Sequence, residues 1–453
     1  MNPKNLLAAL ILLISAFSLS SCKKFLEGIN DNPNNPSSVR PDVLLPAAQG
    51  TLAYTLGGDI QRYSGIMTQY FTGVSRQFDG YQRYIFSEED FNNLWNSMYA
   101  GVMVNLNEIL KIDEEKGGSY SAYAGISKIL MAYSLMVTTD LFGDVPFEEA
   151  FQGAENLTPA YETQEHLYSH IPEMLDEAIQ MLTSETGEDI ALPGSDDFIY
   201  EGDLNSWIGL AYALKARAYI HQVNRNANAA ALAMDALNAG GSIADAGFPF
   251  SSAAPGPWYQ YIEQRDDIAY TGSCLSLMQS RNDPRYAVYN DVNGTLWGVG
   301  YLGPFFAAEA SSVWLMTEFE RHFIKAEAML RLGHASTEVQ AALVDAVNAS
   351  FSFYGIDPAS PEATAYVSAH CQLTGSFNSD LEIIMTEKWI ANYLSMESWT
   401  DLRRTGYPQL TPNSGAAAIP TRFIYPTNER LYNPQPGIND NSDLFTPKLW
   451  WLP

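Results

Sequence analysis

The sequence predicts a mainly α-helical (all-α) fold, built from helical pairs with long irregular insertions. Apolar residues recur at steps of three and four along most of the chain, as they do on one face of a helix. Glycine and proline breaks separate these stripes. Two stretches, 241–312 and the region after Asp401, lack this period, and the first is rich in Tyr, Trp and Phe.

The chain opens with a short apolar leader that ends in a cysteine. Residues 6–19 carry no charge and follow Lys4. This stretch is shorter than the about 20 apolar residues that span a bilayer, and a basic start with a short apolar core is typical of a secretory signal. The string LSSC at 19–22 is similar to a bacterial lipobox, which implies cleavage before Cys22 and lipidation of that cysteine. We therefore predict a signal peptide at 1–21, and a signal peptide without lipidation is the alternative.

The segment that follows the leader is polar and rich in Asn and Pro. It contains EGINDNPNNPSS at 27–38. We interpret 22–38 as the lipidated cysteine and a tether to the folded body. An Asn and Asp run can also bind calcium, but this one lacks the spaced Gly and the final Glu of an EF-hand loop. The remainder, 39–453, is predicted to form a single large helical domain.

The charge of the chain excludes some partners. Acidic residues outnumber basic ones by 52 to 25, which gives a formal net charge of −27. Such a field repels nucleic acid and anionic lipid, so neither is expected as a partner. A neutral ligand or a protein surface remains open.

The helices are predicted from their apolar stripes. In chain order they are 44–71 with a break at Gly57-Gly58, 91–110, 123–137, 167–182, 204–223, 227–239, 313–332, 337–353 and 379–397. From the second helix onward, consecutive helices are paired two by two. Such pairs are typical of a tetratricopeptide-type solenoid, in which each hairpin buries its apolar face against its neighbours. The strict period of about 34 residues is absent.

The candidate ligand residues are aromatic and lie in the segments without helical period. Loops on a rigid helical scaffold are where binding residues concentrate. The string FDGYQRY at 78–84 is predicted to be non-helical, as is the long insertion. The predicted ligand-binding residues are Tyr81, Arg83, Tyr84, Trp258, Tyr259, Tyr261, Trp297 and Tyr301. Trp258 after PGP and Trp297 after NGTL are the favoured ligand contacts, because neighbouring Gly, Pro and Asn residues are expected to form loops. Other large rings must fill the core.

No motif of a metal centre or an enzyme is found in the sequence. Cys274 and Cys371 could pair in an oxidising compartment, but the sequence does not show that they meet. His166 and His170 could share a helix face and bind a metal, yet exposed helix surface is the preferred interpretation. The acids at 88–90 could serve a glycosidase, but solvated surface is their default role. We predict no catalytic residue, no metal and no cofactor.

Several local strings identify a family resemblance. They are TTDLFGDVPFEEA at 138–150, NDPRY at 282–286, FIKAEAMLRLG at 323–333, EKWIANYLSMESWTDLRRTGYP at 387–408, IPTRFIYPTNE at 419–429 and KLWW at 448–451. In this order they resemble the SusD/RagB family of nutrient-binding outer-membrane lipoproteins. The resemblance extends from the lipobox to the last tryptophan.

The resemblance implies both a fold and a function. It implies four tetratricopeptide-like pairs and a lipoprotein at the cell surface, anchored in the outer membrane. Such a protein captures oligosaccharides, or peptides in some members, and passes them to a TonB-dependent barrel of the SusC type. One departure is that Lys23 and Lys24 follow the cysteine, where surface-exported members often carry acids. A glycan-cleaving enzyme is the less favoured alternative.

Most residues of the family strings are predicted to be structural. Arg403 and Arg404 suit buried ion pairs that tie a helix end to a loop. Glu327, in an apolar context, is predicted to accept a local hydrogen bond. Trp450 and Trp451 are predicted to plug the body.

Overall fold

Helices make up most of the chain that the structure describes. The computed structural model describes residues 39–184, 190–413 and 415–453. The predicted signal peptide, Cys22 and the tether lie outside the described residues. Residues Pro41–Pro453 form one compact unit, and the mainly helical fold class is confirmed.

The described elements are mostly α-helices. The α-helices are α1 Pro41–Thr55, α2 Gln61–Met67, α3 Arg76–Tyr81, α4 Asn92–Asn96, α5 Val104–Glu115, α6 Ser121–Phe142, α7 Gln164–Thr183, α8 Leu204–His221, α9 Ala229–Gly240, α10 Pro257–Gln264, α11 Ser273–Ser280, α12 Tyr286–Tyr289, α13 Pro304–Ala307, α14 Glu318–Arg331, α15 Ser336–Phe353, α16 Pro361–His370, α17 Phe377–Ala391, α18 Glu397–Thr405 and α19 Thr427–Tyr432. The π-helical turns are Leu56–Ile60 and Ser97–Met103, and the 3₁₀ turns are Glu88–Phe91 and Gly153–Glu155.

Short strands form antiparallel pairs within the described ranges. The first pair joins β1, Thr72–Gly73, to β3, Ile268–Ala269. The second joins β2, Ala246–Phe248, to β4, Val313–Met316. Both pairs link the long insertion to other parts of the body, because β1 and β4 lie outside it.

The predicted helical pairs are neighbours, but the closest packing is shifted by one helix. The most extensive contacts join α6 to α7, α8 to α9 and α14 to α15. In the last predicted pair, the contact between α15 and α17 is less extensive than the contact between α14 and α17. A stripe of apolar residues marks a buried face without showing which neighbour covers it. The central helix α6 is buried on nearly all sides, and it ends at Gly143, whose φ of 90° suits glycine.

Several predicted element boundaries are wrong, and the helix predicted for 379–397, for example, ends at Ala391. The helix predicted for 313–332 begins only at Glu318, because 313–316 forms β4 and Thr317 caps the helix by accepting the amide hydrogen of Glu320. A short apolar run fits a strand as well as a helix, and here the pairing with β2 decides. The segment at 78–84, predicted to be non-helical, lies partly in α3.

The paired arginines near the end of α18 have different partners. The Arg404 guanidinium contacts both oxygens of Glu327 at 2.5 Å and also pairs with Asp401, so its predicted ion pairing is confirmed. Both partners lie in helices, so the predicted tie to a loop is wrong. Arg403 makes no such pair within the described residues. Its guanidinium lies 3.8 Å from the ring centroid of Trp399 and donates to backbone carbonyls. The ion-pair prediction for Arg403 is therefore wrong, because an aromatic face and carbonyl oxygens replace the carboxylate.

Other structural predictions have mixed outcomes. Trp451 is fully buried and donates its indole N–H to Asp140 at 2.9 Å, whereas Trp450 is only half-buried. Cys274 and Cys371 are both buried and both free, so the possible disulfide is not formed. Every helix in the described ranges is too short or too polar to span a bilayer.

Candidate ligand-binding groove

The candidate site forms where the first long helix is interrupted. Helix α1 ends at Thr55 and α2 begins at Gln61, and the π-helical turn between them contains Gly58 with non-helical φ and ψ of −91° and −115°. A Cβ atom at Gly57 would lie 2.5 Å from a methyl group of Val313 and 2.9 Å from the Pro257 ring. The glycine therefore allows the start of α10 to pack directly against the turn. Irregular turns of this type are frequent at functional sites.

Two adjoining cavities flank this turn, and together they form what we call the groove. One has a volume of about 350 Å³ and lies between α1, α3 and α10. The other has a volume of about 460 Å³ and lies between α1 and the segment 93–97. Both are lined by Tyr54, Gly58, Asp59 and Arg62. Volumes of this size are typical of small-molecule sites.

The polar side chains of the groove are arranged as compensated ion pairs. Arg62 binds Asp59 at 2.8 Å, and its guanidinium lies 4.8 Å from the centroid of the Tyr261 ring. Arg265 pairs with Asp267 at 2.5 Å and donates to Gln77 at 2.8 Å. The groove thus offers hydrogen-bond donors and acceptors with little excess charge.

Hydrogen bonds behind the groove hold two of its tyrosines in place. The Tyr261 hydroxyl donates to the buried Asp267 at 2.5 Å, and the Tyr81 hydroxyl donates to Asp90. Burial, together with these carboxylates, raises the pKa of Tyr81 and of Tyr261, so both hydroxyls stay protonated donors. Burial alone would raise the pKa of Asp267, but hydrogen bonds from Tyr261 and Arg265 lower it. This carboxylate therefore remains charged.

Tyr54 is the most accessible aromatic ring of the groove. It is 41% exposed, and it lines both cavities. Its hydroxyl donates to the carbonyl of Pro255 at 3.1 Å, and its ring packs on Phe250 at a centroid distance of 5.2 Å and 73°. These contacts fix the ring at the boundary between the cavities.

The predicted ligand residues divide between this groove and other places. Tyr81 and Tyr261 line the groove. Tyr84 is 7% exposed and its hydroxyl accepts the amide hydrogen of Asn413. Arg83 is a surface residue that pairs with its neighbour in α3, Asp79, at 2.8 Å. Neither Arg83 nor Tyr84 lines the groove.

Trp258 lies behind the groove wall instead of in a loop. The PGP string begins a helix, with Pro257 at its first position. Proline is favoured there because its missing N–H is not needed. Trp258 is 3% exposed, and its indole N–H donates to Gln61 at 2.8 Å. The expectation of a loop at this residue is therefore wrong.

We call three further predicted residues, Tyr259, Trp297 and Tyr301, the outer aromatic group, of which Tyr301 packs on Tyr270 at a centroid distance of 5.9 Å. Helix α10 directs Gln260 and Tyr261 toward the groove, whereas Tyr259 packs on Trp297 at a centroid distance of 5.1 Å. Trp297 donates to the carbonyl of Ala307 at 3.0 Å. Tyr301 is 37% exposed. None of the three lines the groove.

Several groove residues are absent from the sequence-based prediction. They are Tyr54, Asp59, Arg62, Gln77, Gln260 and Arg265. The first three belong to a stretch with an apolar stripe, which indicates a core helix. The available signal is the pair Gly57-Gly58, since glycines inside a helical pattern mark a break or a close approach.

In the histidine pair of α7, His166 is exposed and His170 is half-buried. His166 lies 2.9 Å from Glu148, and His170 lies 3.3 Å from Glu173. Across residues 39–184, 190–413 and 415–453, no group of three His, Cys, Asp or Glu side chains could hold a metal ion.

The structure combines a scaffold of helical pairs with an open polar groove that has aromatic walls. A family model described as "Starch-binding associating with outer membrane" matches residues 33–426. The chain therefore belongs to the SusD-like family. Members of this family are binding proteins associated with the outer membrane.

Solved structures of the same family share the fold. The chain is 24% identical to a SusD/RagB family protein from Bacteroides thetaiotaomicron, with a TM-score of 0.74 over 91% of this chain and 99% of that one. It is 23% identical to a chitin-binding SusD homolog from Flavobacterium johnsoniae, with a TM-score of 0.70 over 91% and 95% of the two chains. It is 19% identical to a SusD-like protein from Bacteroidetes AC2a, with a TM-score of 0.76 over 92% of this chain and 100% of that one. At these identities the likeness establishes the fold. Curated protein sequences give no significant match.

Proposed function

We propose that this protein captures oligosaccharide in the groove and delivers it to a TonB-dependent transporter in the outer membrane. The observation that carries the proposal is the groove itself, in which the exposed ring of Tyr54 adjoins the Asp59–Arg62 pair. Aromatic faces pack on the apolar faces of sugars. Sugar hydroxyls both donate and accept, so mixed carboxylate, guanidinium and amide groups match them. The family description as starch-binding supports this ligand class.

The binding test compares two exposed tyrosines. Starch-derived and chitin-derived oligosaccharides are titrated by calorimetry into a soluble form that begins after Cys22. We expect Tyr54→Ala to weaken binding roughly tenfold, because the stacking face is lost. Tyr432→Ala is the matched control, since Tyr432 is 73% exposed in α19 and does not line the groove. Equal affinities for the two variants would contradict a site in the groove.

A second variant separates the groove from the outer aromatic group. Trp297→Ala removes the larger ring of that group while leaving the groove lining unchanged. We expect near-native affinity for this variant. Strong loss of binding in Trp297→Ala, with Tyr54→Ala unaffected, would place the ligand on the outer aromatic group and would favour the sequence-based prediction.

Peptide binding and glycan cleavage are the competing functions. A peptide could also use mixed donors, acceptors and aromatic surfaces. Titration with a peptide mixture of matched length distinguishes the two ligand classes, and tighter peptide binding would replace the glycan proposal. Incubation of oligosaccharide with the pure protein, followed by chromatography, tests for cleavage. Release of shorter products in proportion to protein would establish an enzyme.

The membrane anchor rests on Cys22. The LSSC string and the family's association with the outer membrane support lipidation of this cysteine and display at the cell surface. We expect Cys22→Ser to shift the protein from the membrane fraction to the soluble one. An unmodified mature cysteine in the mass spectrum of the native protein would refute the anchor.

The transporter partner is proposed to be a SusC-like barrel. Co-purification from mild detergent should yield the two proteins together. Consistent isolation of the lipoprotein alone, from cells in which the barrel is expressed, would count against delivery to a transporter.

A further inference from the structure

The charges that line the groove are unusual for a chain with so many acids. The formal net charge is −27. Yet Asp59 is the single acidic side chain among the described residues that line the groove, against Arg62 and Arg265. The local chemistry of the groove is therefore decided by how these few charges are paired.

Each arginine of the groove already has a carboxylate. Arg62 binds Asp59 at 2.8 Å, and Arg265 binds the buried Asp267 at 2.5 Å. An acidic sugar would need an arginine with free charge, because burying a carboxylate against a compensated pair gains little Coulomb energy. A hydroxyl needs no net charge, since it both donates and accepts. The pairing therefore disfavours uronic acids, sialic acids and sulfated sugars.

We infer that the groove selects uncharged oligosaccharides and that Asp59 is the residue that sets this selectivity by neutralising Arg62. This inference rests on the proposed function and adds the ligand class. Asp59 also has a second role in the same site. Among the described residues, its Oδ1 accepts a hydrogen bond from Arg62, and its Oδ2 is available to accept a hydrogen bond from a sugar hydroxyl.

The test is a gain of binding. Asp59→Asn keeps the size of the side chain and frees the charge of Arg62. We expect oligogalacturonate to bind Asp59→Asn on the order of tenfold more tightly than the native protein, with an advantage that falls as salt rises. Binding of neutral chitin-derived or starch-derived oligosaccharide should weaken. The double variant Asp59→Asn/Arg62→Gln should lose the gain for oligogalacturonate.

The control variant changes the net charge by the same amount as Asp59→Asn, but at a residue outside the groove. Asp79 pairs with Arg83 at 2.8 Å on the surface of α3, and both side chains are 53% exposed. We expect Asp79→Asn to bind both probes like the native protein. Because Asp59 is partly exposed, at 31% for its side chain, Asp59→Asn should keep the native melting temperature.

The outcomes separate this inference from the proposed function. Native protein that binds oligogalacturonate as tightly as neutral oligosaccharide overturns the selectivity and leaves glycan binding intact. Equal gains in Asp59→Asn and Asp79→Asn also overturn it, because overall charge would then be the cause. Native protein that binds neither the neutral nor the acidic set overturns the proposed function as well.

Discussion

Replacement of Trp258 by alanine tests whether this residue supports the groove from behind. Trp258 is 3% exposed and packs edge-on against Phe71, Tyr261 and Tyr270 at centroid distances of 5.5, 5.9 and 6.2 Å. Its indole N–H donates to Gln61 at 2.8 Å. Removal of a buried tryptophan costs about 3–5 kcal/mol, and the lost hydrogen bond adds about 1 kcal/mol. We therefore expect Trp258→Ala to lower the free energy of unfolding by about 4–6 kcal/mol.

Urea denaturation followed by circular dichroism measures this loss, and Trp297→Ala is the matched control. Trp297 is only half-buried, and its neighbouring ring is Tyr259. We expect the control to lose roughly half as much or less, because less area returns to water. A loss below about 1 kcal/mol for Trp258→Ala would refute its assignment to the core. Unchanged stability combined with weaker glycan binding would instead make Trp258 a direct ligand contact.

Two further predictions concern buried charges. Arg404→Met leaves the fully buried Glu327 without its main partner, so urea denaturation should show a loss of about 3–5 kcal/mol, and a loss below about 1 kcal/mol would contradict the ion pair's role. Burial lowers the pKa of His221, but Glu397 and Asp140 outweigh it and raise that pKa to about 9. The charged His221 therefore stabilises the fold fully below about pH 6.5, and this stabilisation is lost as pH rises through about 9. His221→Gln should abolish this pH dependence of the free energy of unfolding. A native protein that is equally stable at both pH values would contradict the prediction.

The long helices could be predicted from sequence because their periods are clear. Helices α7 and α15 begin and end within a few residues of the predictions, since each carries an unbroken apolar stripe. The β4 strand could not be predicted in this way. Its pairing with β2 depends on a segment far away in sequence, and a local pattern does not contain that information.

The groove was only partly predictable. Tyr81 and Tyr261 can be predicted because they are aromatic residues outside the apolar helical stripes of the sequence. Tyr54 and Arg62 cannot be predicted in this way, because α1 and α2 carry the pattern of a core helix up to the turn between them. Their position in the groove arises from the turn and from the approach of α10 at Gly57, where a Cβ atom would lie 2.9 Å from a proline ring.

The partners in buried ion pairs could not be predicted from the sequence. Lys388 and Asp401 lie 2.8 Å apart, and both are buried although each would be assigned to the surface by its residue type. The partners of such a network come from separate helices, so only the packing brings them together. Packing also explains why Arg403 and Arg404 have different partners, because adjacent residues of one helix face different neighbours.

A crystal structure of the protein with a neutral oligosaccharide that it binds tests the central claim most directly. We predict a sugar ring stacked on Tyr54, with hydroxyl groups within hydrogen-bond distance of Asp59 and Arg62. Sugar bound instead on Tyr259 and Trp297, with the groove occupied by solvent, would contradict it.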